Sequence, residues 1–167
     1  EITKVVNNNA KLYANKEEGF VGTNLKKEDN AELICECSDL SEIIVIHKDG
    51  KYVVTKVSEK AFFGKDILYV GLFDRNDQRT IYNVIYREGK TAISYAKRFA
   101  VTSVTRDKQY DITQGTPGSQ ILWFTVNHNG EAETVKIYFR QRAKLKKLID
   151  EYDFSSLLIK GKASRGN

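Results

Sequence analysis

Four times along this chain an apolar, alternating segment runs into a polar turn ending in glycine and out into another such segment. The four stretches are KLYANKEEGFVGTNL, EIIVIHKDGKYVVTKV, IYNVIYREGKTAISYA and QILWFTVNHNGEAETVKIYF. Their glycines are Gly19, Gly50, Gly89 and Gly130, spaced by 31, 39 and 41 residues. Glycine beside Asn or Asp tolerates the positive φ of a primed turn, so Asp49-Gly50 and Asn129-Gly130 are strong hairpin signals. Glu18-Gly19 and Glu88-Gly89 are weaker ones. A hairpin about every 40 residues, with short strands between, is the period of blade-type repeats. Each unit of such a repeat buries its apolar face by packing on its neighbours.

Ile, Val, Tyr and Phe recur throughout, and the single proline, Pro117, falls in the turn segment TQGTPGSQ. The expected fold is therefore all-β, one domain over residues 1–167, with repeated hairpins in about four blades, set in a closed or an incomplete ring. An ordinary antiparallel barrel or sandwich is the alternative. One stretch, RAKLKKLIDEY, reads two ways: Leu145, Leu148, Ile149 and Tyr152 fit helical spacing, and a strand with a basic outer edge also fits. There is no Met, and both ends look cut, which suggests a piece excised from a longer protein.

Chemistry is hard to find. Cys35 and Cys37 are neighbours on one face of a strand; two thiols cannot close a tetrahedral zinc site, and a bridge between them would be strained. They are expected to be buried free thiols. His47 and His128 each sit beside a turn, and no nucleophile–base–acid set or phosphate loop accompanies them. No apolar run is long enough to span a bilayer and no signal peptide opens the chain, so a cytoplasmic protein without a membrane partner is expected.

A basic surface is the better lead. Net charge is +5, and residues 139–167 alone carry eight Lys/Arg against three acids. That balance favours a polyanionic partner. Rows of Lys and Arg bind phosphate backbones without catalytic geometry. The candidates are Lys97, Arg98, Arg106 and Lys108; then Arg140, Arg142, Lys144, Lys146 and Lys147; then Lys160, Lys162 and Arg165. Lys97 and Arg98 are adjacent on an alternating strand, so they point to opposite faces. One is expected to reach the ligand while the other lays its stem along an apolar neighbour.

The stretches EGFVGTNLKK, CSDLSEIIVIHKDGKYVVTKV, NDQRTIYNVIYREG, YAKRFAVTSVTRDKQYDITQG and DFSSLLIKGKASRGN span nearly the whole chain. In them the sequence resembles the C-terminal domain of the A subunit of bacterial type IIA topoisomerases, of the topoisomerase IV type and with a Bacteroides-like flavour. The resemblance implies a β-pinwheel, a propeller-like ring of four-stranded blades that exchange strands. It implies a non-catalytic domain that holds and bends duplex DNA on a basic rim, without base preference. It further implies that this domain needs no cofactor, ATP and magnesium being used elsewhere in the parent enzyme. The parent would be a homodimer that joins an ATPase B subunit and works at the nucleoid. The DNA-cleaving tyrosine of the family follows an arginine, and none of the nine tyrosines here does. Gyrase A subunits carry a box of the type QRRGGKG; here KGKASRGN is a relative at best, which favours topoisomerase IV over gyrase-like wrapping. A blade-repeat module that docks proteins is the rival reading.

Overall fold

The computed structural model describes residues 9–25, 29–140 and 149–167. Thirteen strands and one 3-10 turn make up the regular structure of those residues. β1 (Ala10–Asn15) and β2 (Phe20–Gly22) form the first hairpin, with β3 (Glu32–Cys37) on the outer edge of β1. β4 (Glu42–His47) and β5 (Lys51–Lys56) form the second. The chain then steps back: β6 (Ala61–Phe62) pairs with β2 in the first sheet, and only afterwards does β7 (Ile67–Phe73) edge β4. The pattern repeats with the hairpin β8 (Ile81–Arg87) and β9 (Ser94–Phe99), the back-strand β10 (Gln109–Asp111) on β5, and the edge strand β11 (Gln120–Asn127) on β8.

A fourth antiparallel pair, β12 (Thr134–Tyr138) with β13 (Ile149–Asp153), follows and runs into the 3-10 turn Phe154–Ser156. Here too the chain steps back, and the tail lies along the free edge of β9. Lys160 N–H donates to Arg98 O at 2.9 Å, and Asn167 and Ala96 exchange both backbone hydrogen bonds. Each of the first three sheets therefore receives chain that has already passed through the next hairpin. This strand exchange is what a β-pinwheel requires, and the chain is all-β as expected.

β4 sits at the centre. Its sequence EIIVIH is a continuous apolar run, the mark of a strand buried on both faces. Ile43 and Val45 belong to a cluster with Leu12, Val21, Ile67 and Val70, shared with the first sheet. Ile44 and Ile46 belong to a second cluster with Tyr52, Val54, Tyr82, Val84 and Phe99, shared with the third. All four are at most 2% exposed. Each such side chain contributes about 1.5–3 kcal/mol.

Two turn expectations are corrected. Gly130 has the positive φ (+74°) that Asn129-Gly130 predicts, but its flanking strands do not pair. β11 belongs to the third sheet and β12 to the fourth, so this turn is a crossover between sheets rather than a hairpin. A turn signal fixes local backbone and says nothing about which strands then meet. Gly89 does lie in a hairpin, but the left-handed residue there is Ala92 (φ +57°). Gly89 is needed for a close approach: a Cβ on it would fall 2.0 Å from Pro117 O. In RAKLKKLIDEY, Ile149 and Tyr152 lie on strand β13, which decides for the strand at that end; residues 141–148 lie outside the described residues.

Gly50 has φ +95°, and a Cβ on it would meet Thr113 Cγ2 at 2.8 Å. Gly50→Val should therefore cost more than about 1 kcal/mol, read from the midpoint of urea or thermal unfolding. An unchanged midpoint would contradict the turn geometry.

Candidate nucleic-acid interface

The strand β9 places Lys97 and Arg98 on opposite faces, as alternation demands, and neither lies on the open surface. Lys97 is 1% exposed. Its Nζ donates to Ile112 O at 2.9 Å and to Lys162 O at 2.5 Å, and it lies 4.7 Å from the centre of the Phe99 ring. Burial pushes its pKa down to about 8, with Asp111 pulling weakly the other way. Asp111 is itself committed to the backbone N–H and hydroxyl of Thr113. Lys97 is thus removed from the phosphate-binding set, because a cation enclosed by two carbonyls and an aromatic ring cannot reach a ligand outside.

Arg98 is half-buried on the other face, where its Nη2 donates to Gly130 O at 2.5 Å. It stands in a cross-strand row with Asn83 and Thr125. Arg98 Nε, both polar atoms of the Asn83 side chain and Thr125 Oγ1 are buried there without a protein hydrogen-bond partner. Arg98 therefore braces the crossover from β11 to β12. One nitrogen of its guanidinium, Nη2, is thereby committed to the fold.

The remaining candidates divide. Arg106 and Lys108 are exposed on the connection from β9 to β10. Lys162 comes to the same place from the tail: its Nζ donates to Thr102 O at 2.6 Å, within that connection. Lys108 and Lys162 lie 5.3 and 5.7 Å from the centre of one ring, that of Tyr110. A tyrosine face attracts cations, so it holds two of them near each other against their mutual repulsion. The tyrosine oxygen accepts from Thr105 N–H, a bond that holds the phenol's pKa below its usual value.

Arg106 borders the same region. Its Nε lies 3.2 Å from Glu42 Oε2, while Arg75 grips both oxygens of Glu42 at 2.7 and 2.9 Å and also donates to Val104 O. The Arg75 hydrogen bonds, joined by Arg106, hold the Glu42 carboxyl below the usual carboxylate range. Lys108 and Lys162, more than fifty residues apart in sequence, thus share the ring of Tyr110, and Arg106 lies two residues before Lys108 on the same connection. Sequence reading missed Tyr110 and Arg75. The spacing Lys108-x-Tyr110 was the available signal for the first, because residues two apart share a strand face.

Lys160 donates to Asn167 Oδ1 at 3.0 Å, and Arg165 is exposed while its backbone oxygen accepts from Tyr86 Oη at 2.6 Å. Arg140 is exposed beyond β12, away in sequence from the Tyr110 patch. Arg142, Lys144, Lys146 and Lys147 lie outside the described residues. Cys35 and Cys37 are free thiols, Cys37 buried and Cys35 half-buried, both pushed up in pKa mainly by burial. His47 faces Gly64 O at 3.3 Å and His128 faces Thr80 at 3.4 Å. Among the described residues no three His, Cys, Asp or Glu gather as a metal site, and no helix is long and apolar enough to cross a membrane.

The buried lysine gives a pH signature. Its folded pKa is lowered, so between about pH 8 and the ordinary lysine value the unfolded chain binds a proton that the folded chain has lost. Through this lysine stability should rise with pH in that window, by at most about 1.4 kcal/mol per pH unit, against the opposite contribution of Cys35 and Cys37, whose raised pKa values let the unfolded thiols ionise first. The rise should be clearest from about pH 8 to 9.5, before tyrosine ionisation in the unfolded chain opposes it. Unfolding midpoints across that range should climb in the native protein relative to Lys97→Met, and parallel profiles would refute the assignment.

No solved structure matches the chain. In Borreliella burgdorferi, the A subunit of DNA topoisomerase 4 is 29% identical over 111 residues, which are 66% of this chain and 17% of that protein. The chain thus spans a small part of that relative's length. The family described as topoisomerase C-terminal domain, Bacteroidota, matches residues 11–167. With that match over nearly all of an all-β, strand-exchanged chain, the protein belongs to the topoisomerase C-terminal domain family of the Bacteroidota.

Proposed function

We propose that this domain binds duplex DNA without base preference, as the non-catalytic C-terminal part of a topoisomerase IV A subunit. The observation that carries the reading is the pair Lys108 and Lys162 on the ring of Tyr110, with the exposed Arg106 on the same connection, in a chain of this family. Phosphates need closely spaced donors, and the patch supplies them from the β9–β10 connection and the tail: Arg106 and Lys108 are exposed, and Lys162 would exchange its Thr102 and Ser103 carbonyl contacts for phosphate. Of the acids near the patch, Glu42 is paired twice and does not repel a polyanion as an isolated carboxylate would, while Asp107, between Arg106 and Lys108 in sequence, accepts from the Thr55 hydroxyl.

In the parent enzyme the domain would hold a duplex segment during ATP-dependent strand passage. Cleavage, magnesium and ATP chemistry would reside in other regions and in a B subunit, with the A subunits pairing as a homodimer. The sequence carries no gyrase-type basic box, which favours holding and bending over tight chiral wrapping.

Titration with a duplex of about 20 base pairs at several salt concentrations tests this. Affinity should fall steeply with salt, at about 0.9 in log–log slope per phosphate contact. Arg106→Ala with Lys108→Ala should lower the slope by about 1–2 and weaken all duplex sequences about equally. Binding that ignores salt would instead support a protein-docking module.

The non-catalytic reading has its own check. The purified chain should leave the linking number of a supercoiled plasmid unchanged, with or without ATP and magnesium. Relaxation that co-purifies with the chain through rigorous removal of other topoisomerases would overturn it.

A further inference from the structure

The backbone of residues 160–167 crosses β9 with few of the ladder bonds a full strand would have. Lys160 N–H reaches Arg98 O, and Asn167 pairs with Ala96 at the far end. Between these points three side chains from the body of the fold reach the tail. Tyr86 Oη donates to Arg165 O at 2.6 Å, and Gln114 Nε2 to Ala163 O at 3.3 Å. The third is Lys97, the only ionised group of the three and itself buried, whose Nζ donates to Lys162 O at 2.5 Å.

The same ammonium donates to Ile112 O, in the segment that follows the back-strand β10. One cation therefore ties together β9, the chain after β10, and the tail. Charge-assisted bonds of this kind are stronger than neutral ones, and their loss in a dry interior strands the carbonyls. What Lys97 fixes directly is the backbone at Lys162. The side chain of that residue is the one that turns to Thr102 O, Ser103 O and the ring of Tyr110, beside Lys108.

We propose that Lys97 is a positioning residue for the DNA-binding patch: its buried ammonium pins the tail across β9 and thereby seats Lys162 next to Tyr110 and Lys108. This rests on the DNA-binding reading for its consequence, and on geometry alone for the pin. Lys97 touches no ligand. It acts through Lys162, which is 65 residues away in sequence. The pattern also explains why an alternating strand places a lysine on its buried face, where Leu or Met would fill the space without desolvating a charge.

Two readouts test it on the whole chain. The first is hydrogen exchange at the amides of Lys160 and Asn167, compared with amides of β4. In Lys97→Met, exchange of the two tail amides should speed up by about tenfold or more, while β4 amides stay protected. The second is the salt slope for a duplex of about 20 base pairs. Lys97→Met should lower it by about 1, as Lys162→Met does, and the double variant should fall no further than Lys162→Met alone.

A residue that merely filled the core would leave the slope unchanged once the protein is folded. Unchanged tail exchange in folded Lys97→Met overturns the pin, and an unchanged slope overturns its role in DNA binding. If Lys97→Met does not fold, Tyr86→Phe removes another tail contact at almost constant volume. That variant leaves Lys97 in place, so the pin itself is then tested with Lys97→Gln, which is shorter and uncharged: it should speed exchange of the Lys160 and Asn167 amides and lower the slope, and no change in either overturns the proposal. Should the native chain bind duplex with no salt dependence, the DNA-binding reading fails, and the role of Lys97 in it falls too. The exchange measurement still decides the pin by itself.

Discussion

The burial of β4 on both faces is the constraint from which the rest of the molecule follows. A strand with Ile43 and Val45 on one side and Ile44 and Ile46 on the other has no solvent face. It is satisfied only when a sheet packs against each side, and the first and third sheets do so. Neither hydrophobic cluster belongs to a single sheet. A hairpin taken alone would leave half of its apolar residues wet, so the units are stable as a stack and marginal as pieces.

Strand exchange ties the stack covalently as well as by packing. β6 completes the first sheet after the chain has made the second hairpin, and β10 completes the second after the third. Many contacts are consequently distant in sequence, and chain must be fixed over long loops before those contacts form. Such topologies fold slowly compared with helical domains of similar size. The arrangement also caps edges: β2, β5 and β9, which would otherwise present open backbone, each receive chain from the following unit. Covered edges are a defence against pairing with other molecules.

Much of this was legible in the residues. The alternating segments, the turn glycines and the apolar run EIIVIH located the hairpins of the first three units and the strand-rich class. The fourth unit was misplaced, because the Asn129-Gly130 dipeptide makes the same local turn whether its strands pair or part. The basic patch was half legible. Arg106 and Lys108 stood out as cations in a turn-rich segment, and Lys162 as part of a basic tail, yet their meeting at Tyr110 depends on the tail crossing β9. Lys97 was misread for a physical reason. Alternation gives the face on which a side chain lies, but not whether that face is covered, and a buried lysine has the same letter as a solvated one.

The carboxylate of Glu42 stands between two guanidiniums that grip it unequally. Arg75 holds both oxygens, and Arg106 rests on one of them at 3.2 Å. A side chain only 12% exposed would be strongly destabilised as a lone anion. Arg75 meets both carboxylate oxygens by itself, so the acid would keep a full set of charged partners without Arg106. The second guanidinium is therefore a surplus of positive charge held at the surface beside an acid that is already neutralised.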